Sequence, residues 1–265
     1  MKVLVTGSSG FIGRSVVHEL LEHGHSVIPF DAANGDYLHN LLRPNHPSDG
    51  VDAVCHLAAV GDVYECQKDP VNAATVNVAG TAAVIAACLA WDAHLVHAST
   101  WEVAHPHEPY AITKAAAEQL VMWAGDHKSL LSCALRLGSA YGPGMRSSQV
   151  IRKFIDLAQS GKPLTIHGDG SQFRQWTHTR DIARAFRIAV EQGITGVALP
   201  VVASEPTSIR QIAEAIAKRY GVGCTFGPPR PADVPPEIVD TTETAEVLGW
   251  RAEVPFGDGL AELMA

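Results

Sequence analysis

The sequence predicts a doubly wound α/β fold, a parallel sheet covered by helices on both faces, with a smaller C-terminal lobe. Apolar runs alternate with amphipathic helical patterns from the first residues onward, as β-α units require. A glycine-rich turn joins the first run directly to the first helix. A chain of 265 residues, 46% hydrophobic and 18% charged, is long enough for one packed domain and a lobe, and too short for several large domains.

Taken in order, the runs predict strands over Lys2–Thr6, Ser26–Phe30, Ala53–Leu57, His94–Ala98 and Ser132–Leu137. Helices fill the intervals near Phe11–Glu22, Val71–Ala90 and Tyr110–Asp126. The pattern changes at the turn Gly142-Pro143-Gly144, after which a helix near Ser148–Gln159 leads to the segment Gly168-Asp169-Gly170. A helix at Asp181–Glu191, an apolar strand at Gly196–Val202 and an amphipathic helix near Ser208–Tyr220 follow. Beyond Gly221, Pro-rich loops lead to a short terminal helix pair. The expected division is 1–142 with 177–202 for the dinucleotide domain, and 143–176 with 203–265 for the lobe.

Composition excludes several classes. Twenty Lys and Arg against 28 Asp and Glu leave a formal charge of −8, so there is no basic footprint for nucleic acid or anionic lipid. Pro70 to Trp91 carries no Asp, Glu, Lys or Arg, but its many alanines, with Asn72, Asn77 and Thr81, suit a helix buried on a sheet, and no membrane span is expected. The N-terminus enters a strand with no cleavage pattern, and a cytoplasmic location is expected. Five scattered cysteines without a C-x-x-C pair argue against disulfides or zinc. His23/His25 and His105/His107 lack further ligands at metal spacing, so no metal is expected.

Gly7-Ser8-Ser9-Gly10-Phe11-Ile12-Gly13 falls where a strand becomes a helix. Gly7, Gly10 and Gly13 allow the tight turn, and the backbone N–H groups that open the helix, at Phe11 and Ile12, face a pyrophosphate with the helix dipole behind them. Asp31 ends the second strand, 18 residues beyond Gly13, where a carboxylate accepts from a ribose diol and repels a 2′-phosphate. This Rossmann-type arrangement favours NAD over NADP; the alternative for Asp31 is a cap on the next turn.

Tyr110 and Lys114, four apart on a predicted helix, project from one face. A phenol with an ordinary pKa of about 10 becomes a usable base beside an ammonium that favours phenolate, although the same spacing also describes an ordinary solvated helix face. Ser99 and Thr100 end a strand at the carboxyl edge of the sheet, where ligands of such folds collect, or where a hydroxyl serves as a turn former.

The glycine turn, Asp52–Ala59, Asn77-Val78-Ala79-Gly80-Thr81 and Tyr110–Lys114 together resemble the short-chain dehydrogenase/reductase superfamily. The extended branch of NAD-dependent sugar-nucleotide epimerases and dehydratases is the most similar, and Leu135-Arg136, Tyr141–Gly144, Gly168–Arg174 and Asp181 carry the likeness through the lobe. The resemblance implies NAD, a nucleotide-linked sugar oxidised to a transient 4-keto form, and a homodimer. It also implies that Leu57, Ala58 and Ala59 line the cofactor pocket, that Asp36 meets the adenine, and that Asn77 lies behind the active site. Lys114 would hold the nicotinamide ribose, Thr100 would be the catalytic hydroxyl, and Arg174 the diphosphate clamp.

Thr100-Trp101-Glu102-Val103 resembles the dehydratase and decarboxylase signatures, with Trp101 in place of their Asp or Ser. Glu102 is either a proton-transfer group or an exposed loop acid, so epimerase, dehydratase, decarboxylase and ketoreductase chemistry stay open, as does a non-catalytic NAD-sensing protein. Three departures concern substrate recognition. Only nine residues separate Thr100 from Tyr110, Ser139 stands in place of a pyrophosphate-contacting Asn, and Ala104-His105 replaces Tyr-Gly.

Overall fold

The computed structural model describes residues 1–41, 43, 50–229 and 237–265, so part of the Pro-rich stretch expected beyond Gly221 lies outside the described residues. The chain begins β1 (Lys2–Thr6), α1 (Phe11–Glu22), β2 (Ser26–Phe30), β3 (Ala53–His56), α2 (Val63–Lys68), α3 (Pro70–Ala74), α4 (Gly80–Trp91), β4 (His94–Thr100) and α5 (Pro109–Lys128). It continues β5 (Ser132–Leu137), β6 (Ser139–Tyr141), α6 (Val150–Gln159), β7 (Leu164–His167), β8 (Phe173–His178), α7 (Thr179–Gln192), β9 (Ala198–Val201), β10 (Pro206–Ser208), α8 (Ile209–Tyr220), β11 (Cys224–Gly227), α9 (Thr242–Val247) and α10 (Phe256–Leu263).

The main sheet runs in the order β2-β1-β3-β4-β5-β9, with every pairing parallel. After β2 the chain crosses back past β1 to β3, which makes the carboxyl ends of β1 and β3 the topological switch point where ligands of open α/β sheets bind. Buried Val16 and Leu20 of α1 pack with Ile182, Phe186 and Val190 of α7 on one face. On the other face Val84, Ile85 and Cys88 of α4 meet Val121 and Ala124 of α5. A third cluster, including Phe154, Ile166, Trp176 and Ile216, fills the lobe, whose small sheets pair β10-β8-β6 and β11-β7.

The structure departs from the predicted elements in identifiable places. The helix expected as one piece over Val71–Ala90 contains a π-helical turn, Thr75–Ala79, between α3 and α4. There the Thr81 hydroxyl bonds the Asn77 carbonyl at 2.6 Å, and the Asn77 side chain reaches across to the loop after β3. Such a bulge turns a side chain out of helical register, which places it at functional sites more often than elsewhere. The short pieces α2, β6, β7, β8, β10 and β11 were not expected, because three to six residues carry too little periodicity to register. Part of the segment expected in the lobe joins the main core instead: Leu248 and Trp250 are fully buried with α7, and the Trp250 indole donates to the Asp181 carbonyl at 2.9 Å.

Backbone crowding at the switch point is severe. A Cβ on Gly13, inside helix α1, would lie 2.0 Å from the Gly7 carbonyl oxygen, whereas one on Gly24, at positive φ (+78°), would meet nothing within 4 Å. Gly13→Ala is therefore expected to cost about 2–3 kcal/mol by overpacking, against about 1 kcal/mol for Gly24→Ala. Urea unfolding midpoints measure both; equal losses would refute the crowding argument.

Candidate active site

The first half of the site is a backbone cradle. Gly7 has φ +72°, and a Cβ on it would come within 2.7 Å of the Ala58 nitrogen, so only glycine lets β1 and the end of β3 meet so closely. Leu57 N–H donates to the Thr6 carbonyl at 3.1 Å, and Ala58 N–H to the Thr6 hydroxyl at 3.3 Å, fixing the wall that Leu57, Ala58 and Ala59 form. Helix α1 starts at Phe11 with no side-chain cap and no acidic residue in its first turn, leaving the amides of Phe11 and Ile12 for an anion. The Ser8 hydroxyl is buried beside them without a hydrogen-bond partner among the described residues.

Asp31 ends beside this cradle. One carboxylate oxygen accepts from Ser9 N–H at 3.0 Å and the other from Ala33 N–H at 2.9 Å, so it caps the following turn and braces the glycine loop at once. The capping and ribose readings are thus compatible, since each oxygen keeps a lone pair free. Asp36 folds back to accept from the Asp31 N–H at 3.4 Å. The cradle, the orphaned Ser8 hydroxyl and the carboxylate at the strand end fit an adenine dinucleotide with an unmodified 2′-hydroxyl.

Asn77 is buried and hydrogen-bonded to protein partners through both ends of its amide. Its oxygen accepts from Val60 N–H at 2.8 Å, and its amide donates to the Val60 carbonyl at 3.1 Å and the Thr113 hydroxyl at 3.0 Å. Thr113 in turn donates to the Tyr110 carbonyl at 2.9 Å. Asn77 therefore ties the tyrosine helix to the loop after β3, with both amide hydrogens used on protein partners.

The second half gathers around Tyr110. Thr100 is buried at the end of β4, where its hydroxyl accepts from Glu102 N–H at 3.4 Å and lies close enough to the Tyr110 phenol to lower its pKa. Glu108 caps α5 by accepting from the N–H groups of Tyr110 and Ala111 at 3.0 and 2.8 Å, which orients the first turn that carries the phenol. Burial, and then the charge of Glu102, push the Tyr110 phenol up to about 12, against the lowering effect of the nearby Thr100 hydroxyl. Glu102 itself, exposed on the 3₁₀ turn Trp101–Ala104, is raised above the usual carboxylate range, first by desolvation and then by Glu108, with His107 and Arg174 opposing.

One expectation needs correction. The ammonium of Lys114 does not hold Tyr110 as phenolate here. It turns inward to donate to the Ala98 carbonyl at 2.5 Å and lies 3.4 Å from His97 Nε2, because strand β4 offers buried acceptors to a side chain that is itself buried. Burial lowers Lys114 to about 8, with Glu118 opposing.

Across the cleft a cavity of about 470 Å³ opens in the lobe, lined by Ser139 and Arg174 and also by Lys153, Phe154, His167 and Trp176. Two cations among apolar and aromatic walls suit an anionic group attached to a ring system. The Arg174 guanidinium donates to the Phe173 carbonyl at 2.8 Å and stands close enough to Glu102 to lower its pKa, so the clamp faces both the cavity and the catalytic cluster. Lys153 and His167 were not anticipated. Each is an ordinary polar position on its element until α6 and β7 are packed together.

A family model described as NAD dependent epimerase/dehydratase family matches residues 3–200. The chain belongs to this family. The epimerase/dehydratase relationship extends over whole proteins: a UDP-glucose 4-epimerase of Mycolicibacterium smegmatis is 30% identical over 99% of this chain and 97% of its own length. A 2-alkyl-3-oxoalkanoate reductase of Stenotrophomonas maltophilia is 33% identical over 83% of this chain and 76% of that protein. A trifunctional dehydratase/epimerase/reductase of Arabidopsis thaliana is 28% identical, but the chain spans only 46% of its length. Among solved structures, MoeE5 in complex with UDP-glucose and NAD superposes with a TM-score of 0.89 at 28% identity, covering 100% of this chain and 97% of that one. As a family member, this epimerase/dehydratase is an NAD-dependent enzyme of the short-chain dehydrogenase/reductase type.

NAD should bind more tightly than NADP. Asp31→Ala should erode that preference at least about tenfold, since the carboxylate supplies both the ribose acceptor and the repulsion. Calorimetry with both cofactors checks this, and an unchanged ratio would remove Asp31 from the discrimination.

Proposed function

We propose that this enzyme oxidises a hydroxyl of a nucleotide-linked sugar and reduces the resulting ketone, an epimerase or dehydratase reaction through a transient 4-keto sugar. The observation that carries it is the hydroxyl pair of Tyr110 and Thr100, with Lys114 one turn on, at the carboxyl edge of the sheet beside the glycine cradle. The cations and apolar walls of the lobe cavity suit a nucleoside diphosphate, and the relatives named above include proteins acting on, or bound to, UDP-glucose.

When bound, NAD supplies the two-electron acceptor for the carbon bearing the hydroxyl. Thr100 orients the reacting oxygen, and Tyr110 takes its proton and later returns it. A phenol held near 12 is a poor base at neutral pH, so positive charge must reach Tyr110 before oxidation. Lys114 is the protein's own source of it. Glu102, raised and facing the same cleft, is placed to move a proton next to the ketone if the reaction eliminates water.

Tyr110→Phe should leave folding and NAD binding near normal and lower turnover at least about a hundredfold, as loss of a general acid/base does. The deciding assay is incubation with a panel of nucleotide sugars and NMR of the products; a wild-type rate in the variant would remove Tyr110 from the mechanism. Glu102→Gln separates the two chemistries. If the reaction is dehydration, solvent deuterium enters C5 in the wild type and its uptake falls sharply in the variant, whereas epimerisation shows no uptake in either. Uptake that persists unchanged in Glu102→Gln would exclude proton transfer by this residue.

A second reading, net ketone reduction, draws on the 33% identical reductase and the short Thr100–Tyr110 segment. It would consume NADH stoichiometrically, which the main reading does not. We also propose a cytoplasmic homodimer. The five cysteines are free, as a reducing compartment keeps them, and Val71, Ile112 and Trp123 expose large apolar side chains on the helical face of α3 and α5. Sedimentation of a monomer at micromolar concentration would refute the dimer.

A further inference from the structure

Behind the catalytic cluster lie two fully enclosed histidines, His56 on β3 and His97 on β4, their rings tilted at 39° with centroids 5.3 Å apart. The hydrogen bonds of His56 fix its tautomer. The Thr81 hydroxyl donates to the Asn77 carbonyl at 2.6 Å, so it accepts from His56 Nε2–H at 3.0 Å, and His56 Nδ1 accepts from the Thr6 hydroxyl at 2.7 Å. His56 is therefore saturated and neutral. Burial, and then the charge of Lys114, hold it down at about 3.

His97 is different. Its Nδ1 is buried with no partner among the described residues, and its Nε2 faces the Lys114 ammonium at 3.4 Å. An ammonium has only donors, so the facing nitrogen must present its lone pair and the orphaned Nδ1 must carry the hydrogen. Leaving a buried N–H unpaired costs free energy, and nothing in the β4 strand requires a histidine there. The cost buys a second acceptor for Lys114, whose first is the Ala98 carbonyl at 2.5 Å.

We propose that His97 is a positioning residue for the reaction: as a neutral acceptor behind the active site it keeps Lys114 charged and anchors its head group on β4. The groups around Lys114 support this division of labour. From β3 comes neutral His56, from β4 His97 and the Ala98 carbonyl, and from α5 Glu118. Glu118 is committed elsewhere, accepting from Arg136 at 2.6 Å and from the Ser99 hydroxyl at 2.5 Å, so its charge acts on Lys114 only at a distance. Burial, followed by the Lys114 charge, keeps His97 well below the usual histidine range, hence neutral and able to accept throughout the working pH range.

The catalytic role of Lys114 rests on the proposed function, but the interaction is testable without cofactor or substrate. In the cofactor-free protein, 15N-histidine NMR should show His97 with hydrogen on Nδ1 and a bare, hydrogen-bonded Nε2; hydrogen on Nε2 overturns the proposal. Lysine-side-chain NMR should place the Lys114 midpoint near 8. Removing the acceptor in His97→Phe, or in His97→Met should the phenyl ring prevent folding, disfavours the charged form and should lower that midpoint by about one pH unit. His97→Gln, which returns an oxygen near the Nε2 position, should restore most of the shift. An unchanged midpoint in a folded His97→Phe or His97→Met, or a glutamine that behaves as phenylalanine does, overturns it. Failure to turn over any nucleotide sugar would instead sink the proposed function and leave the titration intact.

Discussion

The site depends on one close approach of backbone to backbone. Where β1 ends, Gly7 lies so near Ala58, and Gly13 so near Gly7, that no side chain fits at either glycine. That approach draws the N-terminus of α1 over the carboxyl ends of β1 and β3, and these two strands flank the switch point of the sheet. Everything that follows is hung from it. Thr6 ties the Ala58 wall to His56, His56 reaches Thr81, and Thr81 bonds the carbonyl of Asn77 at the π turn. Asn77 then holds Thr113, one turn beyond Tyr110. A continuous set of directed hydrogen bonds thus runs from the cofactor cradle to the catalytic helix, and every polar group in it is buried and paired.

Electrostatics divide the site into two states of readiness. Tyr110 is raised by burial and by Glu102, while Lys114 is lowered by burial and held by strand β4. In the protein alone the Tyr110 phenol stays protonated and the Lys114 ammonium is turned onto β4. The Arg174 and Glu102 juxtaposition joins the lobe cavity to the same cluster, since Arg174 lines the cavity and its charge opposes the raised pKa of Glu102.

What the sequence determined by itself was the framework and the places of the candidate reacting groups on it. Strand and helix periods are local, the glycine turn and Asp31 lie at a spacing that a β-α-β unit imposes, and Tyr110 and Lys114 share a helix face whatever surrounds them. Tertiary structure decided the rest, because it depends on residues far apart in the chain. The direction taken by the Lys114 head group was set by acceptors on β4, contrary to the local argument from spacing. Asp31 could be read as cap or ribose ligand until its two oxygens were seen bracing both the next turn and Ser9. Lys153 and His167 become cavity residues only when α6 packs against β7, and Trp250 joins the main core only when the C-terminal segment folds back on α7. His56 and His97 read along the chain as two polar interruptions in apolar strands. Their meaning arises from the parallel register that sets His56 beside His97 and brings Lys114 against them, since a buried donor or acceptor is defined by its partner and not by its neighbours in sequence.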